Sequence, residues 1–162
     1  MRLMRILGID PGFERLGIAI LEKNKNNNKE IVIFSECFKT SAKLEFVERL
    51  KLIGEEVKKV IKKYKPEVLA IETLFFTTNQ KTVMRVAEAR GVCMYEAAQA
   101  GLDIFEASPL QVKMATTGYG KATKEQMLKM LQMLIEIEKN KTSDDELDAI
   151  AIALTAFAHM KC

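Results

Sequence analysis

The order of apolar segments along the chain restricts the fold to one class. Three apolar segments joined by short polar links come first, at residues 4–10, 17–23 and 30–39, and they predict an antiparallel meander. Segments with helical spacing then alternate with short apolar strands. A helix that connects two strands of one sheet usually leaves them parallel. The sequence therefore predicts an α/β fold with a five-stranded mixed sheet flanked by helices.

Local signals mark where the helices begin and end. Pro66 ends the first helix, and Ser108 followed by Pro109 begins the third. Two capping boxes, one at residues 123–126 and one at 143–146, begin the last two helices. The elements predicted after the meander are a helix over 44–64, a strand at 67–72, a helix at 80–100, a strand at 102–107, and helices at 109–117, 124–137 and 144–160.

Length and composition favour a single domain over residues 1–162. Of these 162 residues, 48% are hydrophobic and 29% charged, which is typical of soluble globular proteins. No segment approaches the roughly 18 apolar residues that a membrane span needs, and Asp10 interrupts the N-terminal segment before a signal-peptide core forms. Three scattered cysteines and a lone histidine disfavour a disulfide framework, a zinc ribbon and a histidine-rich metal centre. We expect a cytoplasmic protein whose metal ligands, if it has any, are carboxylates.

Four acidic residues occupy the ends of predicted elements. Asp10 and Glu72 each close an apolar strand, at the end where α/β sheets bind ligands. Asp145 and Asp148 are three residues apart at the start of the last helix, so they share one face. Asp148 precedes the apolar run AIAIALTAFA, which predicts a buried helix. Acids at a helix N-terminus also complement the helix dipole, so the pattern alone leaves convergence of the four acids open.

If the four acids converge, they predict a metal site for phosphoryl chemistry. Clustered carboxylates repel one another unless a cation neutralises them, and Mg²⁺ prefers oxygen ligands. Two ions about 3.5–4 Å apart would stabilise the attacking and leaving oxygens of a phosphodiester displacement. The net charge of +3 is weak evidence for a nucleic-acid partner. The lysine-rich segment at 58–65 is best explained as the solvated face of a helix.

Six blocks of sequence, in order and nearly end to end, resemble the RuvC-type Holliday junction resolvases, which are crossover junction endodeoxyribonucleases with a ribonuclease H-like fold. The blocks are GIDPG at 8–12, AIETLFFTTNQKT at 70–82, EARGV at 88–92, SPLQVK at 108–113, TGYGKATKEQ at 117–126 and DDELDAIAIAL at 144–154.

The resemblance implies an activity, a cofactor and partners. It implies that Asp10, Glu72, Asp145 and Asp148 are catalytic acids that bind two Mg²⁺ ions, for which Mn²⁺ can substitute. It implies a homodimer that cuts four-way junction DNA by paired nicks in recombination and repair. It also implies cooperation with the RuvA and RuvB branch-migration proteins.

The resemblance implies DNA contacts as well. Phe75 matches an aromatic position that stacks into the opened junction, although the adjacent Phe76 could take that role or both rings could lie in the core. Lys113 and Lys124 match basic positions used against DNA phosphates, and Lys121 is a plausible helper. For the dimer interface we expect the helix at 80–100, where Gly91 lies in a stripe of small residues.

The turn after the first strand departs from the family pattern. Relatives usually carry a small polar residue, an arginine and then a threonine before the next glycine, whereas this chain has Phe13-Glu14-Arg15-Leu16-Gly17. Phosphate contacts by hydroxyl groups in this turn are therefore in doubt, and Glu14 adds negative charge close to the predicted metals.

Three other functions compete with junction resolution. A nuclease of the same fold could act on another branched or RNA-containing substrate, and the acid pattern alone does not exclude it. An ATPase of the actin–Hsp70 type also has a phosphate loop similar to IDPGFERLG, but such proteins need a second comparable domain. A junction-binding protein without catalysis is disfavoured, because four carboxylates facing DNA would weaken binding unless metals neutralised them.

Overall fold

A computed structural model of the chain describes residues 3–24, 26–74, 79–137 and 142–160. The elements in chain order are β1 Arg5–Asp10, β2 Arg15–Lys23, β3 Glu30–Lys39, α1 Phe46–Tyr64, β4 Val68–Glu72, α2 Gln80–Gln99, β5 Asp103–Ala107, α3 Pro109–Thr117, α4 Lys124–Leu134, β6 Glu136–Ile137 and α5 Asp144–His159.

The strands form one mixed sheet with the order β5-β4-β1-β2-β3-β6. The first three strands pair antiparallel, as the meander predicted. Strand β4 pairs in parallel with both β1 and β5, as expected for strands that are connected by helices. The predicted α/β class with a mixed sheet is therefore confirmed.

The sheet has six strands where the sequence predicted five. The helix predicted over 124–137 ends at Leu134, because Ile135 takes an extended conformation with φ −122° and ψ 139°. Glu136 and Ile137 then pair in parallel with Ile31 and Val32 of β3. Two β-branched isoleucines favour the extended backbone, and their strand covers part of an edge of β3 that would otherwise be unpaired.

Helices cover both faces of the sheet. On one face, α5 packs with side chains of α3 and α4, and α1 and α2 cover the other face. Alternate residues of β1 contribute to the two cores, with Ile6 in the first and Leu7 in the second. Ten residues of α5 are buried, which confirms the prediction from its apolar run.

Two glycines allow α5 to lie unusually close to the sheet. A Cβ added to Gly8 of β1 would lie 2.2 Å from the carbonyl oxygen of Ala149. A Cβ on Gly17 of β2 would lie 2.1 Å from the carbonyl oxygen of Asp145 and 3.1 Å from Cβ of Asp10. The start of α5 therefore lies directly against the end of β1, and only glycine fits at these two contacts.

Side chains fix the N-terminus of α5. The predicted capping box is present, with Ser143 Oγ accepting from the backbone N–H of Glu146 and Glu146 accepting from the backbone N–H of Ser143. The buried Glu146 carboxylate also accepts a 2.8 Å hydrogen bond from Ser35 Oγ of β3. These contacts join the first turn of α5 to the sheet, so the acids of that turn are held in place. The predicted capping box at Thr123 and Gln126 is confirmed too.

Two further sequence predictions can be compared with the structure. Cys37 and Cys93 are free thiols. Among the described residues, no helix is long and apolar enough to cross a membrane. The prediction of a single nuclease domain over residues 1–162 stays a prediction.

Candidate active site

The structure brings the four predicted acids to one end of the sheet. Asp10 is the last residue of β1 and Glu72 the last of β4, and these strands pair in parallel with Ile9 opposite Ile71. The two carboxylates therefore lie on neighbouring strands, at the end of the sheet where the parallel strands finish. Asp145 and Asp148 reach the same end of the sheet from the first two turns of α5. Gly17 of β2 lies against the backbone of Asp145 and beside Asp10, so Asp145 is close to Asp10.

Electrostatics show that the acids act on one another. The pKa of Asp10 is raised from 3.8 to about 8, mainly by burial and then by the charges of Asp148, Glu72 and Asp145 in that order, while Lys124 opposes the shift. Asp10 thus carries a proton at neutral pH unless a cation arrives. This mutual effect is what four converging carboxylates predict.

Two more carboxylates have raised pKa values, with burial as the main cause. Burial, followed by the charge of Asp148, raises the pKa of Glu72. Burial also raises the pKa of Asp148, although Lys124 donates a hydrogen bond from Nζ to its Oδ2 at 2.9 Å. For Asp148, the loss of water therefore outweighs the ion pair. In turn, this hydrogen bond raises the pKa of Lys124.

A cleft of about 350 Å³ lies next to these acids, between α3, α4 and α5. Its lining includes Glu72 and Asp148 together with Lys113 and Lys124. Two of the predicted DNA-contacting lysines therefore share a cleft with two of the acids. Lys121 is exposed on the loop between α3 and α4 and is not part of this lining. That the three lysines contact DNA stays a prediction.

Phe75, the predicted stacking residue, lies outside the described residues, and so does Phe76. Their roles therefore stay predictions. The neighbouring Thr73 is described, and its backbone N–H donates to the carbonyl oxygen of Ala107 at the end of β5.

The atypical segment at 13–17 contains a site residue that the sequence did not reveal, Arg15 at the start of β2. Nη2 of Arg15 lies 2.7 Å from Oδ2 of Asp145. The thiol of Cys37 on β3 donates to the same oxygen at 3.6 Å. Arg15 and Cys37 are brought to the start of α5 by the β2–β3 pairing, in which Gly17 lies opposite Cys37. The spacing of residues along the chain carries no signal for this contact, which depends on strand register.

The structure also explains Glu14, whose charge was unexpected near the acids. Its Oε1 lies 3.8 Å from Nη2 of Arg49, a buried residue of α1. Arg49 also donates from Nε to Thr40 Oγ1 at 2.8 Å and lies over the ring of Phe13. Thr40 Oγ1 in turn donates to the carbonyl oxygen of Phe13. The turn is thus held by α1, and Arg49 balances the charge of Glu14.

The chemical type of the four acids fits a hard divalent cation, although their oxygen atoms do not surround a common point. Their donors are all carboxylate oxygens, and Asp10 loses its proton readily only when positive charge is supplied. Within the described ranges, no three carboxylates, thiols or imidazoles lie close enough together to hold a metal ion as they stand. Asp145 and Asp148 are instead paired with Arg15 and Lys124.

Sheet order and helix placement define the class of protein. A mixed sheet with an antiparallel meander followed by two parallel strands, and with a buried helix across its centre, is the ribonuclease H-like fold. The chain belongs to the RuvC family, since the family model for crossover junction endodeoxyribonuclease RuvC matches residues 6–156.

Individual relatives agree with this assignment. The crossover junction endodeoxyribonuclease RuvC of Halothermothrix orenii is 44% identical over 151 residues, which are 93% of this chain and 90% of that protein. The structure of Thermus thermophilus RuvC matches with a TM-score of 0.84 and 32% identity, covering 94% of this chain and 92% of that one. A structure of T. thermophilus RuvC in complex with a Holliday junction substrate matches with a TM-score of 0.81 and 30% identity, covering 94% and 91% of the two chains.

Proposed function

We propose that this protein is a structure-specific endonuclease that resolves Holliday junctions by metal-dependent hydrolysis of phosphodiester bonds in DNA recombination and repair. The observation that carries this proposal is the group of four interacting carboxylates at one edge of the sheet, beside a cleft lined with lysines. The family to which the chain belongs supports the same activity.

Asp10, Glu72, Asp145 and Asp148 are proposed to be the catalytic acids and the metal ligands. Two Mg²⁺ ions, or Mn²⁺ ions in their place, would stabilise negative charge on the attacking and leaving oxygens of the scissile phosphate. The chain itself supplies four oxygen-donor side chains on three elements that the sheet and α5 hold together. Burial of Asp10 keeps water away from its carboxylate, so a divalent cation would interact with that carboxylate more strongly than it would in water.

Lys113 and Lys124 are proposed to hold the DNA backbone beside these acids. Both line the cleft that contains Glu72 and Asp148, so a phosphate bound to either lysine lies close to the acids. The ε-ammonium groups carry no information about base sequence, because every nucleotide offers the same phosphate. Lys121 on the adjacent loop and Phe75, which would stack on an unpaired base, complete the proposed DNA contacts.

We propose that the protein acts as a homodimer through α2. Symmetric nicks in two strands require two sites related by a twofold axis. Apart from the neighbouring backbone of α2 itself, no heavy atom of the described residues lies within 4 Å of a Cβ added to Gly91. Met84 and Tyr95, seven residues before and four after Gly91 on this helix, are 64% and 60% exposed. These spacings put the three residues on one face, and an exposed apolar face with a glycine at its centre suits a second copy of the helix.

RuvA and RuvB, the branch-migration proteins, are the proposed functional partners, and the cytoplasm is the proposed location. The partners depend on the family resemblance and the location on the scattered cysteines and the N-terminal sequence, and the structure adds no contact that tests either.

A competition assay tests the proposed function. The purified protein is incubated with a labelled four-way junction in Mg²⁺, and unlabelled junction, plain duplex or RNA–DNA hybrid is added. We expect only the unlabelled junction to suppress nicking at stoichiometric amounts, and EDTA to abolish nicking. Equal competition by the hybrid would instead identify a nuclease for another substrate. Binding without nicking at any divalent metal concentration would identify a binding protein.

A further inference from the structure

An ion pair between Arg15 and Asp145 lies beside the other acids and has no part in the proposed function. The guanidinium Nη2 and the carboxylate Oδ2 are 2.7 Å apart, which is the distance of a charge-assisted hydrogen bond. The Cys37 thiol points to the same oxygen from the other strand, at 3.6 Å. Oδ2 of Asp145 therefore lies within reach of two side-chain donors.

This pairing has a counterpart on the next turn of α5. Lys124 Nζ lies 2.9 Å from Oδ2 of Asp148. Both acids that α5 contributes thus carry a side-chain cation, and in the described part of the chain no three potential ligands are assembled closely enough for a metal ion. Since a cationic side chain and a metal ion repel each other, a metal ion bound to these acids would favour the opening of these ion pairs.

We propose that Arg15 is a positioning residue that competes with the metal: its guanidinium holds Asp145 in the metal-free protein and leaves Oδ2 when a divalent cation binds the acids. The proposal rests on the proposed function, because it takes Asp145 to be a metal ligand. It assigns Arg15 a role that opposes metal binding in the absence of DNA.

The exposure of the two partners shows which of them moves. The Arg15 side chain is 55% exposed, so it can turn into water without becoming a buried, unpaired charge. The Asp145 side chain is only 23% exposed and belongs to a capped helix turn that Glu146 ties to β3. Asp145 therefore stays in place and exchanges one cation for another, while Cys37 remains as a weak donor beside it.

Loss of the Arg15 charge should strengthen metal binding. A unit positive charge within about 5 Å of a divalent cation, in surroundings that water partly screens, opposes binding by roughly five- to tenfold. A residue that only supported the shape of the site would have the opposite effect. Its loss would let Asp145 move and would lower the affinity for the metal ion. The direction of the change thus separates the two roles.

The test measures Mn²⁺ binding to the protein in the absence of DNA. The electron paramagnetic resonance signal of free Mn²⁺ reports how much of the ion remains unbound. We expect Arg15→Gln to bind Mn²⁺ about five- to tenfold more tightly than the unsubstituted protein, and Arg15→Lys, which keeps the charge, to stay within about twofold of it. Arg5→Gln is the matched control, because Arg5 forms a similar 2.6 Å pair with Glu22 away from the acids. This control should bind Mn²⁺ like the unsubstituted protein.

Repeating the measurement in the Asp145→Asn background separates this proposal from the proposed function. If Asp145 is a ligand, Asp145→Asn weakens Mn²⁺ binding, and adding Arg15→Gln then changes little, since the two residues act through one contact. Equal or weaker Mn²⁺ binding by Arg15→Gln would overturn the role of Arg15 and leave the proposed function intact. Unchanged binding by Asp145→Asn would remove Asp145 from the proposed metal ligands and overturn the role of Arg15 with it, while the competition assay would still decide the proposed function.

Discussion

Replacing Asp10 with asparagine should make the metal-free protein more stable, even though it should abolish cleavage. The folded protein raises the pKa of Asp10 to about 8 from 3.8, chiefly by burial. Below pH 3.8 the carboxyl is protonated in both the folded and the unfolded chain, so it does not affect their balance. Between pH 3.8 and 8 the unfolded chain loses this proton while the folded chain keeps it, so stability falls as pH rises. Asparagine has no proton to lose and escapes this penalty.

The size of the effect follows from the same pKa. At pH 7 the unfolded carboxyl lies about 3 pH units above its pKa, and each unit corresponds to about 1.4 kcal/mol, which gives roughly 4 kcal/mol as an upper bound. Asp10 is not fully buried and Lys124 can move toward its charge, so we expect about half of this value. The variant should therefore gain roughly 2 kcal/mol at pH 7–8 and almost nothing at pH 4.

Urea unfolding in EDTA at pH 4 and pH 8 measures this difference. Asp103→Asn, which changes an exposed carboxylate at the start of β5, is the matched control and should show no such gain. Saturating Mg²⁺ should stabilise the unsubstituted protein more than Asp10→Asn, because the metal binds only to the folded site. If Asp10→Asn has the same stability as the unsubstituted protein at pH 8, or a lower one, the electrostatic account of this site is wrong.

Three further predictions concern DNA, packing and assembly. Lys113→Ala and Lys124→Ala should each weaken junction binding for every sequence alike and reduce the slope of log K against log salt by about one, as fluorescence anisotropy at several salt concentrations would measure; an unchanged slope would argue against a phosphate contact. Gly17→Ala should lower the free energy of unfolding by roughly 1–3 kcal/mol in urea titrations, since its Cβ would lie 2.1 Å from the Asp145 carbonyl oxygen; full stability would show that α5 can shift freely. Gly91→Arg should leave the fold intact but shift the protein to monomers in sedimentation velocity, and a retained dimer would place the interface elsewhere.

The fold could be predicted from the sequence because its signals are local. Alternating apolar strands and helices, Pro66 and the capping boxes are all readable within a few residues. The sixth strand was missed because the residues of 135–137 continue an apolar helical pattern, and pairing with β3 adds to the weak extended preference of their two isoleucines. Tertiary context overrode local pattern at this point.

The candidate site was predictable where strand ends and helix starts carry charge. The sequence identified Asp10 and Glu72 as acids at strand ends but left their convergence open, and the parallel pairing of β1 with β4 is what places them side by side. Arg15 was not predictable as a site residue, because its contact with Asp145 joins residues far apart in the chain through the β2–β3 pairing and the close packing of α5. Such a contact depends on register and on distances of a few tenths of a nanometre, which no spacing pattern encodes.

Strand-resolved cleavage of a synthetic four-way junction is the most direct test of the central claim. Each of the four strands is labelled in turn, and the unsubstituted protein is compared with Glu72→Gln in Mg²⁺, with junction binding measured on the same samples. We predict nicks at symmetric positions in two opposite strands for the unsubstituted protein. For Glu72→Gln we predict unchanged binding and a rate at least about 10³-fold lower, which is roughly 4 kcal/mol of barrier. Cleavage by Glu72→Gln within tenfold of the unsubstituted rate, or no junction cleavage by either protein, would contradict the account.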